Sequence, residues 1–165
     1  MNIKSILFAT DFSEYNEAAL KYASALAAEA NAILHIVHVY EQRDLGVLAG
    51  EPSYAYAFAW EDERRAAEER LKTIVPTAAT VTYAHHCLSG SPVTELIAFA
   101  EENKVDLIVM ASHGRTGISR LLMGSVAEGV MRKAQCPVLV VRQPAKDGEQ
   151  DKNLFTSSQE SKLLT

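Results

Sequence analysis

The chain has 165 residues, of which 48% are hydrophobic and 22% are charged, and its formal net charge is −5. This length fits one domain with a core of its own, and the composition is that of a soluble globular protein. A non-specific nucleic-acid binder would present a broad basic surface, so the acidic balance predicts no nucleic-acid partner.

Cysteine usage and hydropathy indicate a cytoplasmic protein. Cys87 and Cys136 form neither a CxxC pair nor a cluster of metal ligands, as is typical of a reducing compartment. Asp11 interrupts the N-terminal apolar run, and no run approaches the length of a membrane span. We expect no membrane partner and no metal site.

The first half of the chain predicts two strands, each followed by a helix. Residues 3–9 (IKSILFA) favour a strand, and in the polar TDFSE that follows Ser13 can cap a helix over the alanine-rich residues 14–30. Residues 32–40 (AILHIVHVY) carry apolar side chains on both faces, as in a strand covered on both sides. A loop over 41–55 leads to a charged helix over 59–75, which Pro76 ends.

The second half continues the alternation. Residues 80–88 favour a third strand, and Ser91 then caps a helix with Pro92 at its first position. VDLIVMAS (105–112) and CPVLVVR (136–142) predict two more strands. Five such repeats indicate an α/β domain with a parallel sheet, whose ligands bind beyond the carboxyl ends of the strands. We expect the polar residues 143–165 to form a flexible tail.

The connection after the fourth strand, ASHGRTGISRLLMGS (111–125), is unusually long and rich in glycine. Gly114 and Gly124 could expose backbone N–H groups to a phosphate, and Arg115 could add positive charge. Ser125 and Glu128 have the spacing of a capping box, so a helix is expected to begin there. The alternative remains open that the glycines serve only a turn and that Ser125 is only a helix cap.

The common nucleotide fingerprints are absent. The sequence contains no GK dipeptide and no G-x-G, which excludes a Walker A loop and the Rossmann fingerprint. Histidines at 35, 38, 85 and 86 are expected to be packed or at the surface, because neighbours in a strand point to opposite faces and cannot easily share a metal.

Four segments together resemble the universal stress protein family: ILFATDFSE, LHIVHVY, DLIVMASHGRTGISRLLMGSVAEGV and CPVLVVR, over roughly residues 2–142. The resemblance implies a doubly wound five-stranded parallel sheet of order 3-2-1-4-5, with helices on both faces, in a homodimer. Residues 1–142 would form the nucleotide-binding domain.

The nucleotide-binding branch of that family carries the pattern G-x2-G-x9-G-[ST]. Here Gly114, Gly124 and Ser125 match its last three positions, whereas Ala111 stands at the first, where the family has glycine. By this resemblance the cofactor is ATP, with or without Mg²⁺. The residues expected to contact it are Thr10, Asp11, Val39, Met110, Ala111, His113, Gly114, Arg115, Gly124, Ser125 and Val126.

Three functions compete at this point. The first is a cytoplasmic stress-response protein that binds ATP and acts as a regulatory or protective dimer, with slow hydrolysis at most. The second is a dimeric signalling or structural module without nucleotide, which Ala111 favours. The third, a phosphohydrolase, would need a carboxylate or a histidine at the phosphates, for which Asp11 and His113 are the candidates. By the family order the last strand lies at a sheet edge, and pairing through residues 138–141 would cover it.

Overall fold

The computed structural model describes residues 2–41, 54–112 and 123–142, with the side chains of 54–60 left aside. The predicted tail over 143–165 lies outside these ranges. The strands are β1 (Ser5–Ala9), β2 (Ile33–Tyr40), β3 (Tyr83–Ser89), β4 (Leu107–Ala111) and β5 (Val138–Val141). The helices are α1 (Asn16–Ala30), α2 (Tyr54–Lys72), α3 (Pro92–Glu102) and α4 (Ser125–Lys133).

The five strands form one parallel sheet of order β3-β2-β1-β4-β5, which confirms the predicted fold. The direction in which strands are added reverses between β1 and β4. In β1, Phe8 pairs with Ile36 of β2 on one side and with Val109 of β4 on the other. A reversal of this kind opens a crevice at the carboxyl ends of the two central strands.

Two apolar clusters cover the two faces of the sheet. On one face Ala19, Ala23 and Ala27 of α1 are fully buried, and their small side chains let the helix lie close against Ile6 and Phe8. On the other face Leu96 and Phe99 of α3 and Val130 of α4 pack with strand residues such as Leu7 and Val37. The central strands are therefore buried on both sides, as their continuous apolar runs predict.

Two predicted helix caps are wrong, although α4 begins at Ser125 as the sequence predicts. Ser13 does not cap α1, which begins at Asn16 with Tyr15 in the N-cap position. Instead, Ser13 belongs to a separate turn, in which its backbone N–H donates to Asp11 Oδ1 (3.0 Å). The N-cap of α4 is Gly124, one residue before the Ser125 of the predicted capping box, and no side chain caps it. The backbone carbonyl of Gly124 accepts the first helical hydrogen bond, from Glu128 N–H (3.0 Å).

Other boundaries differ by a few residues. Helix α2 begins at Tyr54, five residues before the predicted start, and ends at Lys72, well ahead of Pro76. Its end is a turn in which the Thr73 hydroxyl donates to the Arg70 carbonyl (2.7 Å). Strand β3 begins only at Tyr83. Ser91 is the N-cap of α3 and Pro92 its first residue, as the sequence predicts.

Gly129 marks a close contact between the two helices that flank the crevice. A Cβ added at Gly129 of α4 would lie 2.7 Å from Val93 Cγ2 of α3. A β-branched side chain is stiff, so Val93 cannot simply turn away. The missing side chain thus sets how closely α4 approaches α3.

We expect Gly129→Ala to destabilise the protein. Overpacking costs about 2 kcal/mol, which exceeds the gain of about 1 kcal/mol from better helix propensity. Urea unfolding measures the difference. In a Val93→Ala background the same substitution should become stabilising, whereas a Gly129→Ala protein more stable than the wild type would contradict the contact.

His35 of β2 and His86 of β3 form a half-buried pair, with His35 Nδ1 3.1 Å from His86 Nε2 and Phe99 against both rings. Burial lowers the pKa of His35 from its usual value of 6.5. The pKa of His86 is lowered by burial and also by the nearby His35 and His85. The folded protein therefore holds both rings neutral at pH values where the unfolded chain is protonated.

This pair should make stability depend on pH. Around pH 6 the unfolded state binds more protons than the folded state. The stabilising contribution of the neutral histidine pair is therefore complete above the unfolded pKa of about 6.5, and it is lost as the pH falls toward the lowered pKa values of the folded state. We expect the free energy of unfolding of the wild type to fall between pH 7.5 and 5.5 more than that of His86→Gln, as measured by urea unfolding. Equal pH dependence in the two proteins would contradict this assignment.

Candidate functional site

The carboxyl ends of β1, β2 and β4 meet in one crevice. Thr10 follows β1 directly, and its N–H donates to Val37 of β2 (2.9 Å), which continues the sheet by one residue. Ser112 extends β4 in the same way through its N–H to Val141 (2.9 Å). Thr10 and Ser112 are both polar and both buried, so polar groups lie inside the fold at the carboxyl ends of these strands.

The turn after β1 holds the Asp11 carboxylate in a fixed position. Asp11 Oδ1 accepts hydrogen bonds from the Ser13 backbone N–H and from Asn16 Nδ2. Asn16 is buried in the first turn of α1, and its amide also contacts Ser13. The carboxylate is therefore oriented by groups that belong to both the turn and the helix.

His38 forms part of the wall beside this turn. Its Nδ1 lies 2.8 Å from the carbonyl oxygen of Thr10, and the residue is 5% exposed. A carbonyl oxygen can only accept, so Nδ1 carries the proton and donates it. The His38 ring also stacks on Phe12, with 4.0 Å between the ring centroids.

The opposite wall is the start of α4. The Gly124 N–H donates to the Ser112 carbonyl (2.8 Å), so the helix begins directly at the end of β4. Ser125, Val126 and Ala127 occupy the first turn, where backbone N–H groups have no acceptor within the helix. These donors and the positive end of the helix dipole favour an anion at this place.

The resulting crevice has a volume of about 270 Å³. Its charged lining within the described ranges consists of two carboxylates, Asp11 and Glu41. The other described residues that line it are Ala9, Thr10, Asn16, Val37, His38, Val39, Pro92, Leu96, Met110, Ala111, Ser112, Gly124, Ser125, Val126 and Ala127. Acidic groups and helix N–H donors thus share one mostly apolar cavity, an arrangement typical of small-molecule sites.

The crevice brings together most of the residues that the sequence singles out. Those that line it are Thr10, Asp11, Val39, Met110, Ala111, Gly124, Ser125 and Val126. His113, Gly114 and Arg115 lie outside the described residues. Their roles toward a ligand remain predictions.

Ala111 is compatible with its place in the crevice. It is the last residue of β4 and does not belong to the residues with positive φ, so a side chain causes no backbone strain there. Ala111 is buried and packs in the core cluster on the α1 face. A methyl group at this first motif position is therefore accommodated by the fold.

Sequence reasoning did not single out three polar residues that line the crevice, Asn16, His38 and Glu41. It assigned His38 to packing or to the surface, and it did not single out Asn16. The signal for His38 was its place next to Val39 at the carboxyl end of the second strand. Asn16 gave no such signal, because only the fold of the turn brings its amide to Asp11.

Within the described ranges, no helix is long and apolar enough to cross a membrane.

Comparison with known proteins agrees with this architecture. The model of the universal stress protein family matches residues 2–142. Universal stress protein MJ0531 of Methanocaldococcus jannaschii is 37% identical over 146 residues, which cover 87% of this chain and 85% of that protein. Universal stress protein MJ0577 of the same organism is 37% identical over 154 residues, covering 84% and 94%.

Solved structures show the same fold. The structure of MJ0577 superimposes with a TM-score of 0.69 at 29% identity and covers 88% of this chain and all of that one. A universal stress protein solved in complex with cAMP gives a TM-score of 0.56 at 28% identity, with 86% and 98% covered. The match over residues 2–142 and the shared sheet establish that the chain belongs to the universal stress protein family.

Proposed function

We propose that this protein binds ATP in the crevice at the carboxyl ends of β1 and β4 and acts as a nucleotide-dependent regulatory or protective dimer in the cytoplasm. One observation carries the proposal: the start of α4, tied to β4 through Gly124 and Ser112, faces the turn that follows β1 across a single cavity. A solved relative, the universal stress protein in complex with cAMP, supports an adenine nucleotide as the ligand class.

The charges of the crevice favour one orientation of the nucleotide. The phosphates would lie at the N–H groups of Ser125 and Val126, which need no formal positive charge to hold an anion. Gly114 would complete this side by the family motif, and Arg115 would add positive charge. The carboxylates of Asp11 and Glu41 would repel phosphate and accept hydrogen bonds from ribose hydroxyls or the adenine amino group.

Val39 and Met110 would then contact the base. Both are buried apolar residues at the ends of their strands, and both line the crevice. An adenine ring between them would remove apolar surface from water, while the backbone of Val39 offers polar contacts at its edge. Thr10 would lie near the ribose.

Binding rather than rapid hydrolysis is the proposed activity. Asp11 Oδ1 already accepts hydrogen bonds from the Ser13 N–H and from Asn16 Nδ2, so protein donors occupy this oxygen and it is not available to take a proton from water. Among the described crevice residues the other acid–base groups are Glu41 and His38, and His38 Nδ1 donates to the Thr10 carbonyl. Any Mg²⁺ would reach the site on the phosphates.

The competing function is a dimeric signalling or structural module that binds no nucleotide. In the sequence this alternative was favoured by Ala111, which stands where the family motif has glycine. Because Ala111 has extended backbone geometry and a packed methyl group, this departure from the motif imposes no conformational obstacle to a ligand. The ATP-binding proposal therefore keeps its support.

Two substitutions of Ser125 test the phosphate site. Ser125→Ala removes only the hydroxyl and should weaken ATP binding about tenfold, since hydrogen bonds to charged groups contribute about 1.5–3 kcal/mol. Ser125→Pro also removes the N–H, and proline suits the first helical position, particularly after Gly124 with its extended ψ of 144°. We expect it to weaken ATP binding about a hundredfold in calorimetry.

Adenosine provides the control, because its binding should change little in either variant. Wild-type protein that binds no ATP at millimolar concentration would contradict the proposed function. ATP affinity retained in Ser125→Pro would show that the start of α4 does not hold the phosphates. Phosphate release in the steady state tests the slow-hydrolysis alternative directly.

The proposed dimer uses β5, which lies at the edge of the sheet. Val138, Leu139 and Val140 are half-buried, and among the described residues the outer edge of β5 pairs with no other strand. Its backbone groups could therefore pair with those of a second copy. A two-fold axis would pair these edges and cover them.

Sedimentation equilibrium at tens of micromolar protein should give twice the chain mass. Val140→Pro removes one edge N–H at a place where an edge strand tolerates proline, so it should shift the mass toward the monomer. A Lys133→Ala control should leave the dimer intact. A monomeric wild type would contradict the dimer without bearing on ATP binding.

A further inference from the structure

Phe12 lies between two other side chains just outside the crevice. On one side its ring stacks on His38, at 4.0 Å between centroids. On the other side the Arg70 guanidinium lies over the ring, with Cζ 4.7 Å from the centroid. Arg70 belongs to the last turn of α2, so this stack, here called the Arg70–Phe12–His38 stack, joins that helix to the wall of the crevice.

The backbone of Phe12 needs such support. Its φ is +65°, in the left-handed region, which is unfavourable for a bulky L-residue. Arg70 Nη2 donates to the Phe12 carbonyl oxygen (2.9 Å), so one side chain holds both the ring and the backbone of this residue. A conformation of this kind persists only where the surroundings determine it.

The conformation of Phe12 is transmitted to the polar groups of the crevice. The Phe12 N–H donates to Thr10 Oγ1 (3.1 Å), and the stacked His38 donates to the Thr10 carbonyl (2.8 Å). On the other side of Phe12, the Ser13 N–H donates to Asp11 Oδ1. A change of φ at Phe12 would move the Ser13 N–H away from Asp11 Oδ1 and the Phe12 ring away from His38, and would so alter the contacts that hold Asp11 and Thr10.

We infer that Arg70, which lies outside the crevice, is a positioning residue for its nucleotide site and acts through Phe12. It holds Phe12 in its left-handed conformation and thereby keeps the turn over residues 10–13 in the shape that presents Thr10 and Asp11 to the ligand. The effect on affinity rests on the proposed ATP binding, whereas the effect on the turn does not.

Arg65 supplies the matched control for an affinity test. It lies on the same helix, is highly exposed and pairs only loosely with Asp62 at 3.9 Å. Arg70→Ala should weaken ATP binding about tenfold in calorimetry. This ratio corresponds to the free energy needed to hold one residue in the left-handed conformation without the support of Arg70. Arg65→Ala changes the net charge equally and should leave affinity within about twofold. Arg70→Lys keeps a donor for the carbonyl and should recover part of the loss.

A double-substitution cycle shows whether Arg70 acts through Phe12. Phe12→Leu removes the aromatic face while keeping an apolar side chain. If the stack is the route, the Arg70→Ala and Phe12→Leu losses should not add, and the double variant should bind about as weakly as the weaker single variant. Additive losses would show that Arg70 acts independently of Phe12 and would overturn the inference. Equal losses of affinity in Arg70→Ala and Arg65→Ala would show a long-range charge effect and would overturn it as well.

Hydrogen exchange without nucleotide separates this inference from the proposed function. In Arg70→Ala the amides of Phe12 and Ser13 should exchange at least about fivefold faster, while amides of the central strands keep their rates. Unchanged exchange at both positions would overturn the inference even if ATP binds. If Arg70→Ala exchanges faster and the wild-type protein does not bind ATP, the role of Arg70 in the turn is supported and only the proposed function is contradicted.

Discussion

The hydrogen bond from the Gly124 N–H to the Ser112 carbonyl, 2.8 Å long, joins the end of the central strand β4 to the N-cap of α4. It places N–H groups that have no acceptor within the helix beside the carboxyl ends of β1 and β4, where the strand order reverses. Gly124 has φ of −62°, so glycine is not required there by a left-handed backbone. What matters is the link between strand and helix, which sets the position of one wall of the crevice.

The second wall depends on a different kind of order. Thr10, Asp11 and Phe12 form a turn whose polar atoms are satisfied locally, by His38, by Asn16 and by the turn's own N–H groups. The first wall offers positive backbone dipoles, whereas this one offers carboxylates and carbonyl groups. A ligand that is anionic at one end and polar but uncharged at the other matches this division. A nucleotide has both features, and α2 reaches the same wall from outside through Arg70.

Much of the architecture could be predicted from the sequence, since runs such as LHIVHVY are apolar on both faces and alternate with helical segments. The crevice followed from the family motif together with the rule for strand ends. The boundaries did not, because they depend on contacts between distant residues: Gly124 becomes the N-cap since Ser112 holds its N–H, and α1 begins at Asn16 since Asp11 organises a separate turn. For the same reason the left-handed Phe12 had no local signal in sequence, and the position of His38 beside Val39 did not reveal its contacts with Thr10 and Phe12.

The central claim is that the start of α4 holds the phosphates while the turn after β1 holds the nucleoside. Backbone amide chemical shifts, recorded as ATP or adenosine is added to the isotope-labelled protein, test this most directly. The account predicts that ATP shifts the amides of Ser125, Val126 and Ala127 together with those of Thr10 to Ser13, whereas adenosine shifts only the second group. ATP binding that leaves the amides of α4 unchanged would contradict it.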